Sequence, residues 1–592
     1  MIYKCVPVPV YFCLGAQNQE KDRQYFKGGS IMKSWSKYIC ILSALVMIFS
    51  FAACGSGIAQ NTTEEKAGTV ESGSADATTD PANADSSFAK FKGEQLSYWH
   101  PFSTTYIKSM DDNIVMQELE RITGIKIKFI TPATGQEDEA FNLMIASGDY
   151  PDLINCRDYK GGGIKAVKDG VYLKLNDYIA EYAPYYTAVM ALKPDIARQT
   201  KEDDGTIWSF KSIQIDDEPS WAGPTIRKDY LDKLGLQMPV TIGDWHTVLT
   251  AFKEKGNIET PMLLPLNRFY AADVFSGTYG SSTGEFLNKN GTVIYGPIEP
   301  GFKEFLSLMN QWYKEGLVDK DFATRDDNSL DAQITSGKAA SCATTFYGSF
   351  SSYELAGKAT DPNFNFVPAP YPVINKGDDV STALHIGNKN WNSKGCDLAI
   401  STKCKNVEAA VKWIDYRYSE EGFMLFNYGV EGVSYNWVDG PMEFKFGSSF
   451  FSPSLQEKIK TKHPEYSELM TNNPDGVDAN TAAYKYKAPY VAQLRNPLSF
   501  VLSDAVYDAM DVWSKPGKDY KLPPLSITDD EAQVESDYMS QITTYKDEMV
   551  MKFIMGIEPL GNFDKYVAQI KNLNIDKLIK VRQDQLDRYL NR

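Results

Sequence analysis

The chain has 592 residues, 43% of them hydrophobic, and a formal net charge of -16. That length exceeds what one hydrophobic core organises, so two or more lobes are predicted. The acidic balance, with no Lys/Arg-rich run, excludes a nucleic-acid partner, and four histidines (His100, His246, His385, His463) without H-E-x-x-H spacing or a nearby cysteine pair indicate neither a metal site nor a cofactor.

Residues 1–31 put acidic and polar residues ahead of a positive region, which does not suit a targeting segment. Lys27-Gly28-Gly29 can be encoded by the purine-rich run of a ribosome-binding site, so Met32 is the expected start and residues 1–31 are expected to be untranslated. Lys33 and Lys37 then precede an apolar stretch from Tyr38 to Ala53, too short to span a bilayer comfortably, and residues 32–53 read as a signal peptide. Its end, Ala52-Ala53-Cys54-Gly55, resembles a bacterial lipobox, with Phe51 where Leu is usual. In that motif the cysteine thiol takes a diacylglyceryl group, which makes Cys54 the expected lipid attachment point. Residues 54–92, rich in Ser, Thr, Ala, Gly, Asp and Glu, cannot repay the entropy of ordering and read as a disordered tether.

The folded body is predicted to open with a strand from Gln95 into Trp99-His100-Pro101. Val115, Leu119 and Ile122 share one helical face before Gly124, and Ile125, Ile127 and Phe129 alternate with lysines as a strand. Phe141, Met144 and Ile145 mark a second helix, ended by Ser147-Gly148-Asp149-Tyr150-Pro151 before a third strand at Leu153-Ile154. This β-α-β-α order implies a largely parallel sheet.

Thr206–Phe210 alternates as a strand, the acidic run Asp216–Ser220 interrupts it, and Thr225-Ile226-Arg227 resumes it before a short helix that starts near Asp229 and ends at Gly235. Here the chain is expected to pass between lobes. Beyond it, Thr241 and Asp244 form a capping box ahead of the buried face Trp245, Val248, Leu249 and Phe252. Asn290-Gly291 signals a hairpin, and Phe305, Leu308, Met309 and Trp312 mark a helix stopped at Gly316. Ala339–Phe346 and Asn363–Val367 read as strands, Asn406 caps a helix carrying Val411, Trp413 and Ile414, and Ile542, Tyr545, Met549 and Phe553 share a face near the C-terminus. Trp245, Trp312 and Trp413 are assigned to core.

Several chemical motifs are weighed and set aside. Gly280-Ser281-Ser282-Thr283-Gly284 matches G-x-S-x-G but lacks a clear preceding strand and following helix, so it reads as a loop. Lys160–Gly163 and Ser336–Ala339 lack the ending of a phosphate loop. Cys156, Cys342, Cys396 and Cys404 read as free thiols, although Cys396 and Cys404 are near enough in sequence to close a small disulfide loop. The positive signal is aromatic: 10 Trp, 35 Tyr and 30 Phe, several at strand ends beside polar groups, where a flat ring can meet the C–H face of a pyranose. The candidate cleft wall is Trp99, Trp208, Trp221, Tyr270, Tyr347, Trp391, Tyr435 and Trp437, with Arg227 and His100 as polar partners.

The order of motifs resembles the family-1 extracellular solute-binding proteins of bacterial ABC importers, especially the large lipoprotein branch that includes alginate- and oligosaccharide-binding proteins. It is carried by FNLMIASGDYPDLI (Phe141–Ile154), TIRKDYLDKLGLQMPVTIGDW (Thr225–Trp245), YGPIEPGFKEFLSLMNQWYKEGLVDKDF (Tyr295–Phe322), WIDYRYSEEGFMLFNYGVEGVSY (Trp413–Tyr435) and EPLGNFDKYVAQIKNLNIDKLIKVRQDQLDRY (Glu558–Tyr589). The resemblance implies two α/β lobes of the periplasmic-binding-protein type joined by hinge crossings, with a helical C-terminal part. The expected boundaries are 93–215 with 350–428 for the N-terminal lobe and 216–349 with 429–592 for the C-terminal lobe. Phe252–Pro261 lacks the carboxylate and amide ligands of the calcium loop in alginate-binding relatives, and Asn473, Asp475, Asp478 and Asn480 are the alternative calcium candidate, set against a plain polar surface loop. The implied function is a non-enzymatic, monomeric receptor, lipid-anchored to the outer face of the cytoplasmic membrane of a Gram-positive-type bacterium. It would bind an oligosaccharide and hand it to ABC permease subunits. A secreted carbohydrate-active enzyme and a surface adhesin are the rival readings.

Overall fold

The structure, a computed structural model, describes residues 86–102, 104, 107–156, 159–213, 221–268, 273–284, 286–346, 349–382, 391–434, 504–515 and 520–592. The expected untranslated segment, the signal peptide, Cys54, most of the tether, Tyr270, Tyr347, Tyr435, Trp437 and the calcium candidate at 473–480 lie outside the described residues.

The tether was expected to run to residue 92, but its end belongs to the fold. Ser86–Phe91 forms a 3₁₀ helix whose Phe88 and Phe91 are buried. Phe88 meets the Tyr416 ring at 6.2 Å, and Lys90 reaches Glu408 at 2.5 Å. Two aromatic side chains in six residues are enough to seat an otherwise polar segment against a preformed face.

Ten strands are described. They are β1 (Gln95–Trp99), β2 (Lys126–Ile130), β3 (Leu153–Asn155), β4 (Phe210–Ile213), β5 (Ala222–Arg227), β6 (Phe286–Lys289), β7 (Thr292–Tyr295), β8 (Ser341–Phe346), β9 (Phe366–Pro368) and β10 (Ser393–Ile400). Five form the first sheet in the order β2-β1-β3-β10-β4. β1, β2 and β3 are parallel, each followed by a helix, as the sequence pattern predicts. β10 is the departure: it runs antiparallel to both β3 and β4, which makes the sheet mixed. The second sheet, β8-β5-β9, is antiparallel throughout.

Strand membership also corrects two boundaries. Residues 206–209 are not strand, and β4 begins only at Phe210. Residues 350–368 were expected in the first lobe, but β9 pairs with β5, so the return passage lies between Pro368 and Ser393. The cause is long-range pairing, which a local pattern does not encode.

Local signals set the helices. Asn113 caps Ile114–Thr123, which ends on left-handed Gly124, and Thr241 and Asp244 close the expected capping box on Ile242–Glu254. Asn290 (φ 55) and Gly291 (φ 89) turn β6 into β7 with two positive-φ residues. Trp245, Trp312 and Trp413 are fully buried in the main core. The helix Asp504–Trp513 packs Trp513 against β5 at Gly223, where a Cβ would lie 2.4 Å from the indole. The Trp513 Nε1 donates to Ala369 O at 3.0 Å.

The C-terminal part is helical, and it returns to the first sheet's side. Asp529–Met555 lies along Pro300–Lys314, with Asn310 donating to Phe553 O and Ile554 O. From Ile575–Leu590 and just beyond, Arg588 and Arg592 both grip the Asp203 carboxylate, at 2.7 and 2.8 Å from their Nε atoms. Arg588 also holds Glu531 through both terminal nitrogens at 2.8 Å.

Candidate functional site

Strand register defines where the two sheets are joined. Trp99 pairs with Ile130 and Ile154, and Ser393 pairs with Ile213, so the C-terminal ends of β1–β4 and the start of β10 share one edge. In the second sheet Ala222 pairs with Phe346, and β9 ends opposite Thr225. The chain leaves the first edge after Ile213 to enter the second at Ala222, and it returns from beyond Pro368 to Ser393. Both passages therefore connect the same two edges, and open α/β sheets bind ligands beyond the carboxyl ends of their strands.

On the second-sheet edge, Trp221 immediately precedes β5, and its ring lies on that of Phe346 with centroids 5.3 Å apart at 29°. The guanidinium of Arg268 sits 4.8 Å over the same Phe346 ring and pairs with Asp327 at 2.8 Å. Trp221 is half-buried, and its buried Nε1 has no acceptor among the described residues. Beneath, Thr225 and Thr345 hydroxyls bond each other at 2.8 Å. The result is a ring platform with a fixed cation behind it.

On the first-sheet edge, His100 follows β1 directly, with its backbone N–H donating to Ile130 O at 3.0 Å. Its imidazole is buried, tilted against Tyr98 (4.9 Å) and stacked near Phe102 (6.1 Å). Burial, reinforced by the charge of Arg417, pushes its pKa down to about 3, so the ring is neutral at physiological pH. Arg417 comes from the turn Tyr416–Tyr418 that follows the helix Val407–Asp415. Trp391, half-buried just before β10, donates its Nε1 to Leu522 O at 2.8 Å.

Three residues expected in the cleft wall are placed elsewhere. Trp99 points to the other side of the first sheet, where it packs on Phe141 at 5.5 Å in a core of its own. Trp208 precedes β4 at the edge opposite the passages; it lies flat on Tyr172 (5.7 Å, 12°) and donates to Glu202 at 2.5 Å. Arg227 ends β5, again far from the passages, and has no exposed surface. Its guanidinium is taken up by Asp229 at 2.8 and 2.7 Å and Asp361 at 2.8 Å, between the Tyr230 and Phe364 rings. The physical reason is shared: a strand has two ends, and only register says which one faces the passage.

His100, Trp221 and Trp391 are thus brought to the joined edges, and Phe346, Arg268 and Arg417 are additions that the sequence reading missed. Phe346 closed a predicted strand and Arg417 stood inside the YRYSEEGF run, but neither carried a local mark of its own. The Gly280–Gly284 segment is a loop organised from inside, with Asp273 accepting from Thr283 N (2.8 Å), Thr283 Oγ1 (2.9 Å) and Ser276 Oγ (2.8 Å). Cys342 and Cys404 are in no disulfide, and burial pushes the Cys404 thiol up to about 12.

Residues 108–422 match the family model described as bacterial extracellular solute-binding protein. Lipoprotein LipO of Bacillus subtilis is 25% identical over 56% of this chain, which spans 65% of that protein's length. The fructooligosaccharide ABC transporter substrate-binding protein FusA of Streptococcus pneumoniae is 23% identical, covering 94% of this chain and 98% of its own. Among solved structures, alginate-binding protein AlgQ2 without calcium ion superposes with a TM-score of 0.61 at 24% identity, covering 84% of this chain and 98% of its own. These neighbours share the two-lobed α/β fold.

Proposed function

We propose that this chain, which belongs to the bacterial extracellular solute-binding protein family, is a lipid-anchored receptor that captures an oligosaccharide between its lobes and delivers it to ABC permease subunits. Members of this family bind and release their solute without transforming it. The observation that carries the reading is the Trp221–Phe346 platform at the mouth of the passage, with the Arg268 cation fixed behind it. A pyranose lays its C–H face on such a ring while its hydroxyls meet the surrounding polar groups. The relative named for fructooligosaccharide transport, which this chain covers almost end to end, supports a carbohydrate as the ligand. Trp391 and the polar His100 belong to the wall proposed here, and Tyr270, Tyr347, Tyr435 and Trp437 are kept as candidates from the sequence.

Binding works here by bringing the two edges together. A ligand that touches both edges binds the closed arrangement better than the open one and shifts the population toward it. Cys54 would hold the receptor at the outer face of the cytoplasmic membrane of a Gram-positive-type cell, with the polar segment behind it as the spacer. A thermal-shift screen of neutral and acidic oligosaccharides tests the ligand class. A hit should raise the melting temperature, compact the particle in small-angle scattering and be recovered chemically unchanged. A panel without a single hit, or a hit recovered cleaved, overturns the reading. The anchor is tested separately: Cys54→Ala should release the protein from the membrane fraction, and retention there at unchanged mass refutes lipidation.

A further inference from the structure

Among the described residues three arginines are buried, and two of them are paired with carboxylates: Arg227 has Asp229 and Asp361, and Arg268 has Asp327. Arg417 keeps only 5% of its surface, yet no carboxylate or carbonyl among the described residues accepts from it, and its Nε is fully buried without an acceptor. Asp415, two residues earlier, turns away: its carboxylate accepts from the backbone N–H groups of Tyr186 at 2.7 Å and Tyr185 at 3.2 Å. What the guanidinium does have is the rings of Trp413 and Phe426, each with its centroid 5.1 Å away. Rings stabilise the cation through its face and leave the in-plane N–H groups unused.

A guanidinium stays protonated, and a buried charge without a partner is costly unless something else supplies one. Arg417 follows the helix Val407–Asp415 and joins the ring cluster of His100: its guanidinium lies over Trp413, whose ring meets Tyr98 at 6.2 Å, and Tyr98 meets His100 at 4.9 Å. We infer that Arg417, beside His100 on the first-sheet edge, is a subsite for a carboxylate carried by the ligand, so that the captured oligosaccharide contains a uronic acid. The planar fork of the guanidinium matches a carboxylate in two parallel N–H···O bonds. The neighbouring imidazole is neutral and adds no second charge, so the site offers one positive charge, which suits a monoanionic carboxylate better than a phosphate dianion. The inference rests on the carbohydrate reading above and narrows it.

The experiment compares trisaccharides of galacturonic, mannuronic and glucuronic acid with their methyl esters, with neutral trisaccharides such as maltotriose, and with acetate alone, by titration calorimetry on the purified full-length protein. At least one uronate trisaccharide should bind, and esterification should weaken it by about tenfold or more as charge-assisted bonds are lost. Arg417→Met should weaken the acid by a similar factor while leaving the ester unaffected, and Arg417→Lys should fall between. The unliganded melting temperature of Arg417→Met should be unchanged or raised, because an uncompensated buried charge is removed. Equal binding of acid and ester overturns the inference on the unaltered protein, whatever the variants do. So does an Arg417→Met protein that melts early while its folded fraction keeps full affinity, which would make the arginine structural. Acetate binding as tightly as the trisaccharide would make this a free-anion site and not a sugar subsite. Neutral trisaccharides binding irrespective of Arg417 would leave the carbohydrate receptor standing without its acidic subsite, whereas no binding in either set removes both readings.

Discussion

Replacing Trp221 by alanine separates a binding surface from a structural ring. Trp221 is half-buried and stacks on Phe346 at 5.3 Å, so in the unliganded protein the substitution removes one aromatic pair, worth about 0.5–1.5 kcal/mol beyond area burial. In the complex it also removes a platform that a sugar ring would cover, and truncating a central aromatic anchor commonly costs about 2 kcal/mol or more, roughly thirtyfold in affinity. Trp245, fully buried against Phe275 at 5.6 Å, is the control: its truncation should cost about 3–5 kcal/mol of stability and leave the affinity of folded molecules unchanged. Calorimetric titration with the best oligosaccharide of the screen, alongside thermal melts, reads both quantities. Trp221→Phe, which keeps a flat face, should recover most of the binding. If Trp221→Ala binds within threefold of the parent, the platform is not where the ligand sits.

Three other outcomes are expected from the packing and the electrostatics. Gly223→Ala should destabilise by about 1–3 kcal/mol in denaturant melts, since a Cβ there would lie 2.4 Å from the Trp513 ring, and an unchanged midpoint would mean that the indole moves freely aside. Asp203→Ala leaves the nearly buried Arg592 without its carboxylate while the partly exposed Arg588 keeps Glu531, a loss of about 2 kcal/mol between the values for exposed and buried pairs, which a double-mutant cycle with Arg592→Ala should assign to that pair. Burial outweighs two backbone N–H bonds at Asp415 and pushes its carboxyl up to about 7, so the folded state holds a proton that the unfolded chain gives up near pH 4. Asp415 therefore contributes stability that is present below the unfolded value and declines as pH rises from about 4 to 7. Asp415→Asn should flatten that decline, and melts at pH 4.5 and 7 that keep the parent slope would refute the assignment.

What the sequence determined by itself was local. Caps at Thr241 and Asn406, the Asn290-Gly291 turn, the left-handed stops at Gly124 and Gly235, and the buried faces around Trp245, Trp312 and Trp413 depend on residues within a few positions of each other, so spacing and side-chain chemistry suffice to read them. The family could also be read, because its motifs recur in order along most of the chain. Only the tertiary structure decided which strand ends meet. Trp208, Trp221 and Arg227 look alike in sequence as residues at strand boundaries, yet pairing of Ala222 with Phe346 puts Trp221 at the passage, while Trp208 and Arg227 fall at the far edges. The exceptional status of Arg417 was equally invisible, since it consists in the absence of a nearby carboxylate among described residues that are mostly distant along the chain. Helices and turns are specified by neighbours in sequence; a binding edge is made by backbone pairing across more than a hundred residues, as between β5 and β8, and its register is set by how both faces bury their side chains together.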